Sequence, residues 1–161
     1  MAGNKASGWN PPVEFYFLVD FQSDSGQRFQ ASFTEVNGIG WDMSTKTRIT
    51  DSNGKLLIPT SMSYPNLILK RPLDTSGDEF YHWLQDGLKK MFLRPLTKKN
   101  YYRKTCDVVI KLLGKDGQPL AAWSCDHAYP IKYNVSGLDA GRSGLVMETA
   151  ELVYNRLERI R

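Results

Sequence analysis

The sequence predicts a mostly-β fold, a sandwich or small barrel of about seven strands with one helix beside it. Three observations predict it. Segments of alternating apolar and polar residues recur along the chain, with the period of two that sends side chains to opposite faces of a strand. Tight-turn signals separate them, among them Ser23-Asp24-Ser25-Gly26, Asp51-Ser52-Asn53-Gly54 and Gly114-Lys115-Asp116-Gly117. Apolar residues fall at helical spacing in one segment only, over residues 77–93.

Residues 1–12 read as a flexible arm ending in Pro11-Pro12, ahead of a single domain over 13–161. Val13, Phe15, Phe17, Val19 and Phe21 then occupy every second position and share a face. Glu14 and Asp20 lie on the other face with Tyr16 and Leu18 between them, the pattern of a strand covered on both sides at its centre. After the turn, Phe29, Ala31 and Phe33 face one way and Arg28, Gln30, Ser32 and Thr34 the other, which predicts a hairpin. Glu35-Val36-Asn37-Gly38 breaks the alternation and predicts a bulge or corner. Residues 40–58 hold Trp41, Met43 and Ile49 among Asp, Ser, Thr, Lys and Arg and predict a projecting, polar, hairpin-like loop turning at Asn53-Gly54. Residues 64–70 form a short strand with Leu67 and Leu69 in phase, closed by Arg71-Pro72.

The helix has a capping box in Ser76-Gly77-Asp78-Glu79 and one apolar stripe in Phe80, Trp83, Leu84, Leu88 and Met91. Asp78 and Glu79 at its start and Lys89, Lys90 and Arg94 at its end suit the macrodipole, and Pro95 stops it. Residues 105–113 place Cys106, Val108, Ile110 and Leu112 on one strand face. Residues 120–129 group Trp123, Cys125 and Tyr129, with 130–133 extending the strand past a kink. A Gly-rich connection over 137–144 leads to a final strand from 145 to about 157. In it Val146, Glu148, Ala150, Leu152 and Tyr154 oppose Met147, Thr149, Glu151, Val153 and Leu157.

The bulk numbers exclude several classes. An apolar share of 41% and a charged share of 24% belong to a folded chain rather than a disordered one. The net charge of +4 is too small and too scattered to indicate a nucleic-acid partner. No run approaches the roughly 18 apolar residues of a membrane span. Residues 1–10 lack an apolar h-region, so the reading is a protein kept in a cytosol or exported without a signal peptide. Cys106 and Cys125 read as buried thiols of a reducing compartment.

Candidate chemistry gathers at four places and each has a plainer reading. Cys125-Asp126-His127 would put a thiol and a base on the same strand face, but no third partner or oxyanion loop accompanies them; a half-buried strand face weighs more. Cys106, Cys125, His82 and His127 lack any metal-ligand spacing. Residues 137–143 are one residue short of a phosphate loop, carry Arg142 where the motif needs Lys, and precede a strand. The basic, aromatic run over 98–104 reads as a solvated loop more than a single-strand binding surface. What is left is structural: strands apolar on both faces and a long loop, which a lone copy cannot cover.

Pro11-Pro12-Val13-Glu14-Phe15-Tyr16-Phe17, Phe33-Thr34-Glu35-Val36-Asn37-Gly38-Ile39 and Tyr64-Pro65-Asn66-Leu67-Ile68-Leu69-Lys70-Arg71 come in order. Residues 123–130 (W-S-C-D-H-A-Y-P), Leu138-Asp139-Ala140 and Met147-Glu148-Thr149-Ala150-Glu151-Leu152-Val153-Tyr154 follow them. Together, over residues 11–158, they resemble the tail-tube proteins of contractile phage tails and related contractile injection systems. The resemblance implies a tail-tube fold of two packed antiparallel sheets, sandwich- or barrel-like, flanked by one α-helix. It implies homohexameric rings whose inner strands join into one β-barrel around a lumen, stacked into an inner tube that delivers cargo or DNA. The implied partners are further copies, a sheath protein, baseplate or initiator tube proteins and a terminator cap. Assembly in the bacterial cytoplasm, into a virion tail or a released or membrane-docked particle without membrane insertion, comes with it; the expectation of no enzyme activity, cofactor or metal comes from the residues themselves. The loop at 40–58 matches the family's stacking hairpin and implies an inter-ring contact at Trp41, Asp42, Met43, Arg48 and Lys55. A secreted hexameric ring protein of a type VI secretion system is the near alternative, and a small cysteine hydrolase the distant one.

Overall fold

A computed structural model describes residues 16–23, 25–50, 52, 54–93, 105–141 and 144–161. The expected arm over 1–12, the first residues of the Val13 strand, the helix stop at Pro95 and the basic run over 98–104 lie outside the described residues. In chain order the elements are β1 (Tyr16–Ser23), β2 (Arg28–Ala31), β3 (Glu35–Asn37), β4 (Asp42–Ile49), β5 (Lys55–Ser63), β6 (Leu67–Pro72), α1 (Glu79–Leu93), β7 (Cys106–Leu113), β8 (Pro119–Val135), β9 (Met147–Val153) and β10 (Arg156–Arg159).

Eight of the strands form one antiparallel path, β2-β1-β7-β8-β9-β6-β3, with β10 added beside β8. Alternation sets the pairing. Val19 and Phe21 of β1 stand opposite Ala31 and Phe29 of β2, and the Phe21 and Phe29 rings stack at 4.7 Å. β8 is long enough to belong to two halves of the sheet. Its first part pairs with β7 and β10, its second with β9, and register shifts lie between them. The halves fold over one shared core. Val19, Phe21, Val108 and Cys125 come from the first half, Leu67, Leu69 and Leu152 from the second, and all are almost fully buried.

Helix α1 closes an open side of that core with Phe80 and Leu84, and Trp83 packs on Phe21 at 5.4 Å. Its buried line runs through Phe80, Leu84 and Gly87, where the backbone comes up against the Pro130 ring. Leu88, expected on the stripe, therefore turns out to solvent. The cap also differs from the expected Ser76 box. The helix begins at Glu79, so Asp78 is the N-cap: its Oδ1 accepts the Tyr81 amide at 3.0 Å, while the Ser76 hydroxyl donates to Asp74.

Three further expectations change. The corner at 35–38 is the short strand β3, after which Gly38 turns with φ 89°; a Cβ there would sit 1.9 Å from the Asn66 carbonyl oxygen. The loop expected over 40–58 is a two-stranded hairpin, β4–β5, with a register shift between Ser44 and Thr45, and it runs on to Ser63. The expected long final strand breaks after Val153. β9 serves the second half of β8, β10 serves the first, and the chain crosses between them at Tyr154-Asn155, where the Asn155 amide donates to the Asp126 carbonyl at 2.9 Å.

Candidate assembly surfaces

The catalytic candidates do not come together. The core-facing residue after Cys125 is Ala128, three positions on, because β8 bulges at His127 with φ 53°. Strict alternation would have pointed Cys125 and His127 the same way; the bulge separates them. The His127 amide donates to Asp107 Oδ1 at 2.9 Å, and its Nδ1 lies 3.4 Å from Thr105 Oγ1. Burial, then the charge of Asp126, pushes the Cys125 thiol up to about 12, so it is no thiolate nucleophile near neutrality. Among the described residues no three His, Cys, Asp or Glu side chains are grouped to hold a metal ion, and no helix is long and apolar enough to cross a membrane. A cleft of about 360 Å³ between α1 and the β1–β2 turn is lined by Arg28, Glu79, His82 and Asp86; its two serines, Ser23 and Ser25, bond each other at 2.7 Å.

Among the described residues, the buried polar cluster around Arg71 is architectural. Arg71 of β6 stands directly opposite Glu148 of β9 and is ion-paired to it and to the cap residue Asp78. The Tyr133 hydroxyl of β8 donates to Glu148 Oε2 at 2.6 Å, and the guanidinium lies 4.9 Å from the centre of the Phe80 ring. Burial alone would lower the Arg71 pKa, but the hydrogen bonds and charges of Glu148 and Asp78 outweigh it and hold the residue more firmly charged. Burial and the bond to Glu148 raise the Tyr133 hydroxyl as well. Three strands and the helix start are fastened at this point.

The remaining candidate features lie on the surface. Among the described residues the hairpin's strands pair only with each other, and nearly every residue of it is exposed. Its register pairs Met43 with Met62, Thr45 with Pro59, Thr47 with Leu57 and Ile49 with Lys55 on one face. The other face pairs Asp42 with Ser63, Ser44 with Ser61, Lys46 with Ile58 and Arg48 with Leu56. The five residues implied by the resemblance thus lie on or beside this one element, at its two ends. Trp41, Asp42 and Met43 are at the base, with Trp41 61% exposed, and Arg48 and Lys55 are next to the turn. Sequence reasoning missed Leu57, at 65% exposure, and Met62; the run Leu56-Leu57-Ile58 was the available signal.

The second half of the sheet, β8-β9-β6-β3, is unfinished at both ends. Among the described residues nothing pairs beyond β3 or beyond the second part of β8, where Ile131 and Val135 are exposed. Its inner face is core; its outer face is polar at its centre apart from Ile68, with the pairs Tyr129–Val153 and Pro72–Met147 at either end. Two register rows cross that outer face. One reads Asn37, Ile68, Glu151, Lys132, and the other Glu35, Lys70, Thr149, Asn134. Lys70 pairs with Glu35 at 3.7 Å, and Asn66 donates to Glu151 at 2.6 Å.

Comparison with known proteins agrees with this architecture. Among solved structures the chain is similar to one from the anti-feeding prophage baseplate, symmetrised six-fold, at TM-score 0.79 and 21% identity, over 94% of this chain and 97% of that one. It is similar to one from the sheath-tube complex of an extracellular contractile injection system, at TM-score 0.73 and 17% identity, over 95% and 93%. Hcp1 from Flavobacterium johnsoniae is less similar, at TM-score 0.51 and 14% identity, over 89% and 94%. At these identities the likeness establishes the shared mostly-β fold of two sheet layers and one helix. No curated protein matches the sequence. The model of the T4-like virus tail tube protein gp19 family matches residues 13–158, nearly the whole chain, and the chain therefore belongs to that family of structural tube subunits.

Proposed function

We propose that this tail tube subunit closes with copies of itself into hexameric rings, that the rings stack, and that the β8-β9-β6-β3 half faces the lumen. The observation that carries the reading is the pair of unfinished edges on that half. An exposed strand edge is a template for another chain. Joining the second part of β8 in one subunit to the β3 end of the next removes both edges and closes the inner strands into a barrel. The six-fold count follows the family resemblance. The role is structural rather than catalytic, since the one reactive-looking pair is split by the bulge at His127.

The hairpin is the ring-to-ring contact in this reading. An isolated two-stranded hairpin is marginal in water, and its apolar face of Met43, Met62, Leu57 and Ile49 calls for a cover that the next ring supplies. Trp41, Asp42, Arg48 and Lys55 extend that contact. The α1 side is left outward for a sheath, with baseplate proteins and a terminator cap at the tube ends, and assembly takes place in the bacterial cytoplasm. Electron microscopy of the native particle tests this. Hollow stacked rings whose inner density traces this chain are expected; an inner tube built of another protein, with this one absent from it, overturns the reading.

A further inference from the structure

We propose that the lumen wall of this tube is charge-compensated within each subunit, so that it admits macromolecules of either charge sign and discriminates by size alone. The inference rests on the ring reading above, because it needs the outer face of the β8-β9-β6-β3 half to look into the lumen. Four charged side chains cross that face in register, Glu35 beside Lys70 and Glu151 beside Lys132. Two carboxylates against two ammoniums leave a net charge of zero (2 − 2), although the whole chain carries +4. Part of the chain's positive charge lies on the hairpin, at Lys46, Arg48 and Lys55.

Compensation is also local. Glu35 meets Lys70 at 3.7 Å and accepts from Asn37 at 2.6 Å, and Glu151 accepts from Asn66 at 2.6 Å. Opposite charges on adjacent strands cancel within a Debye length of about 8 Å at physiological salt, so little field reaches the middle of a wide channel. A wall of one sign, repeated in every subunit of every ring, would instead build a potential of several kT along the tube. The uncharged lining groups, Asn37, Asn134 and Thr149, add polarity without sign. Glu35 and Lys70 hold each other and Glu151 stands opposite Lys132 in register, so charges of opposite sign are never more than one strand apart along this face.

The experiment uses tubes of the full chain assembled at low salt with fluorescein-labelled polyglutamate or polylysine peptides of equal length. An anti-fluorescein antibody, too large for the lumen, quenches probe on the outside. Wild-type tubes are expected to protect the two probes to within about two-fold of each other. Glu35→Gln with Glu151→Gln makes each wall unit net positive and should favour the anionic probe by about ten-fold. Lys70→Gln with Lys132→Gln should reverse the preference, and both preferences should collapse in high salt. Glu158→Gln on β10, outside this face, should leave the ratio unchanged. A ten-fold preference in wild-type tubes, no response in either double variant, or a response to Glu158→Gln overturns the proposal while leaving the tube itself intact. If the full chain gives no hollow rings by electron microscopy, the ring reading beneath it fails, and that outcome is scored before any probe is added.

Discussion

Arg71 and Glu148 are 77 positions apart in the chain and directly opposite in the sheet. Removing one partner of such a buried pair strands the other, at a cost of about 3–5 kcal/mol, whereas replacing both with apolar groups of similar size is much milder. Glu148→Gln is therefore expected to lower the folding stability of the full chain by about that amount, read as a fall in the urea midpoint. Arg71→Met with Glu148→Leu should lose less than Glu148→Gln alone; a double variant no better than the single would show that the ion pair is not what holds β6 to β9. The inward phase of Glu148 was legible in the sequence, because it alternates with Ala150 and Leu152. Its partner was not, since nothing local announces which residue of a distant strand will stand opposite. His127 was misread for a related reason: a left-handed φ of 53° in a non-glycine residue depends on how two strands meet, not on the residues beside it.

At the scale of elements, strong periodicity was a good guide. β1, β7, β9 and α1 lie where alternation or helical spacing placed them, and they make most of the core. The elements that periodicity hid are short or unburied. β3 has three residues, too few to show a period, and β10 has four. The hairpin packs on no core, and Met43, Met62, Leu57 and Ile49 share their face with Thr45, Thr47, Pro59 and Lys55, so only its Asn53-Gly54 signal stood out. That independence gives a prediction. Replacing residues 44–61 with an Asn-Gly turn keeps the Met43–Met62 pair at the hairpin base and removes no core contact. The stability of the subunit should change by less than about 1 kcal/mol, measured by thermal unfolding, while electron microscopy shows separate rings and no tubes. Tubes of ordinary length from this variant would remove the hairpin from the ring-to-ring contact.

For the whole molecule, both halves of the sheet end on unpaired edges among the described residues, the first at β2 and β10, the second at β3 and at a stretch of β8 that carries Ile131 and Val135. Ile131→Lys with Val135→Lys places two positive charges along that edge without entering the core, and neither sets a like charge opposite Glu148. The monomer should keep its stability to within about 1 kcal/mol, yet sediment as a single subunit under conditions where the wild type gives rings; rings from the double variant would place the subunit junction elsewhere. The hairpin bears on a different property, the kinetics of polymerisation. In a free subunit its strands have only each other, so part of their ordering is deferred until they dock. The first docking between free subunits carries that ordering cost with little contact to offset it, while docking onto a finished ring meets a ready surface. Growth of such a polymer starts slowly and extends quickly, so a lag that pre-formed tube ends abolish is the expected time course, and tube number is set by how many starting ends the cell provides.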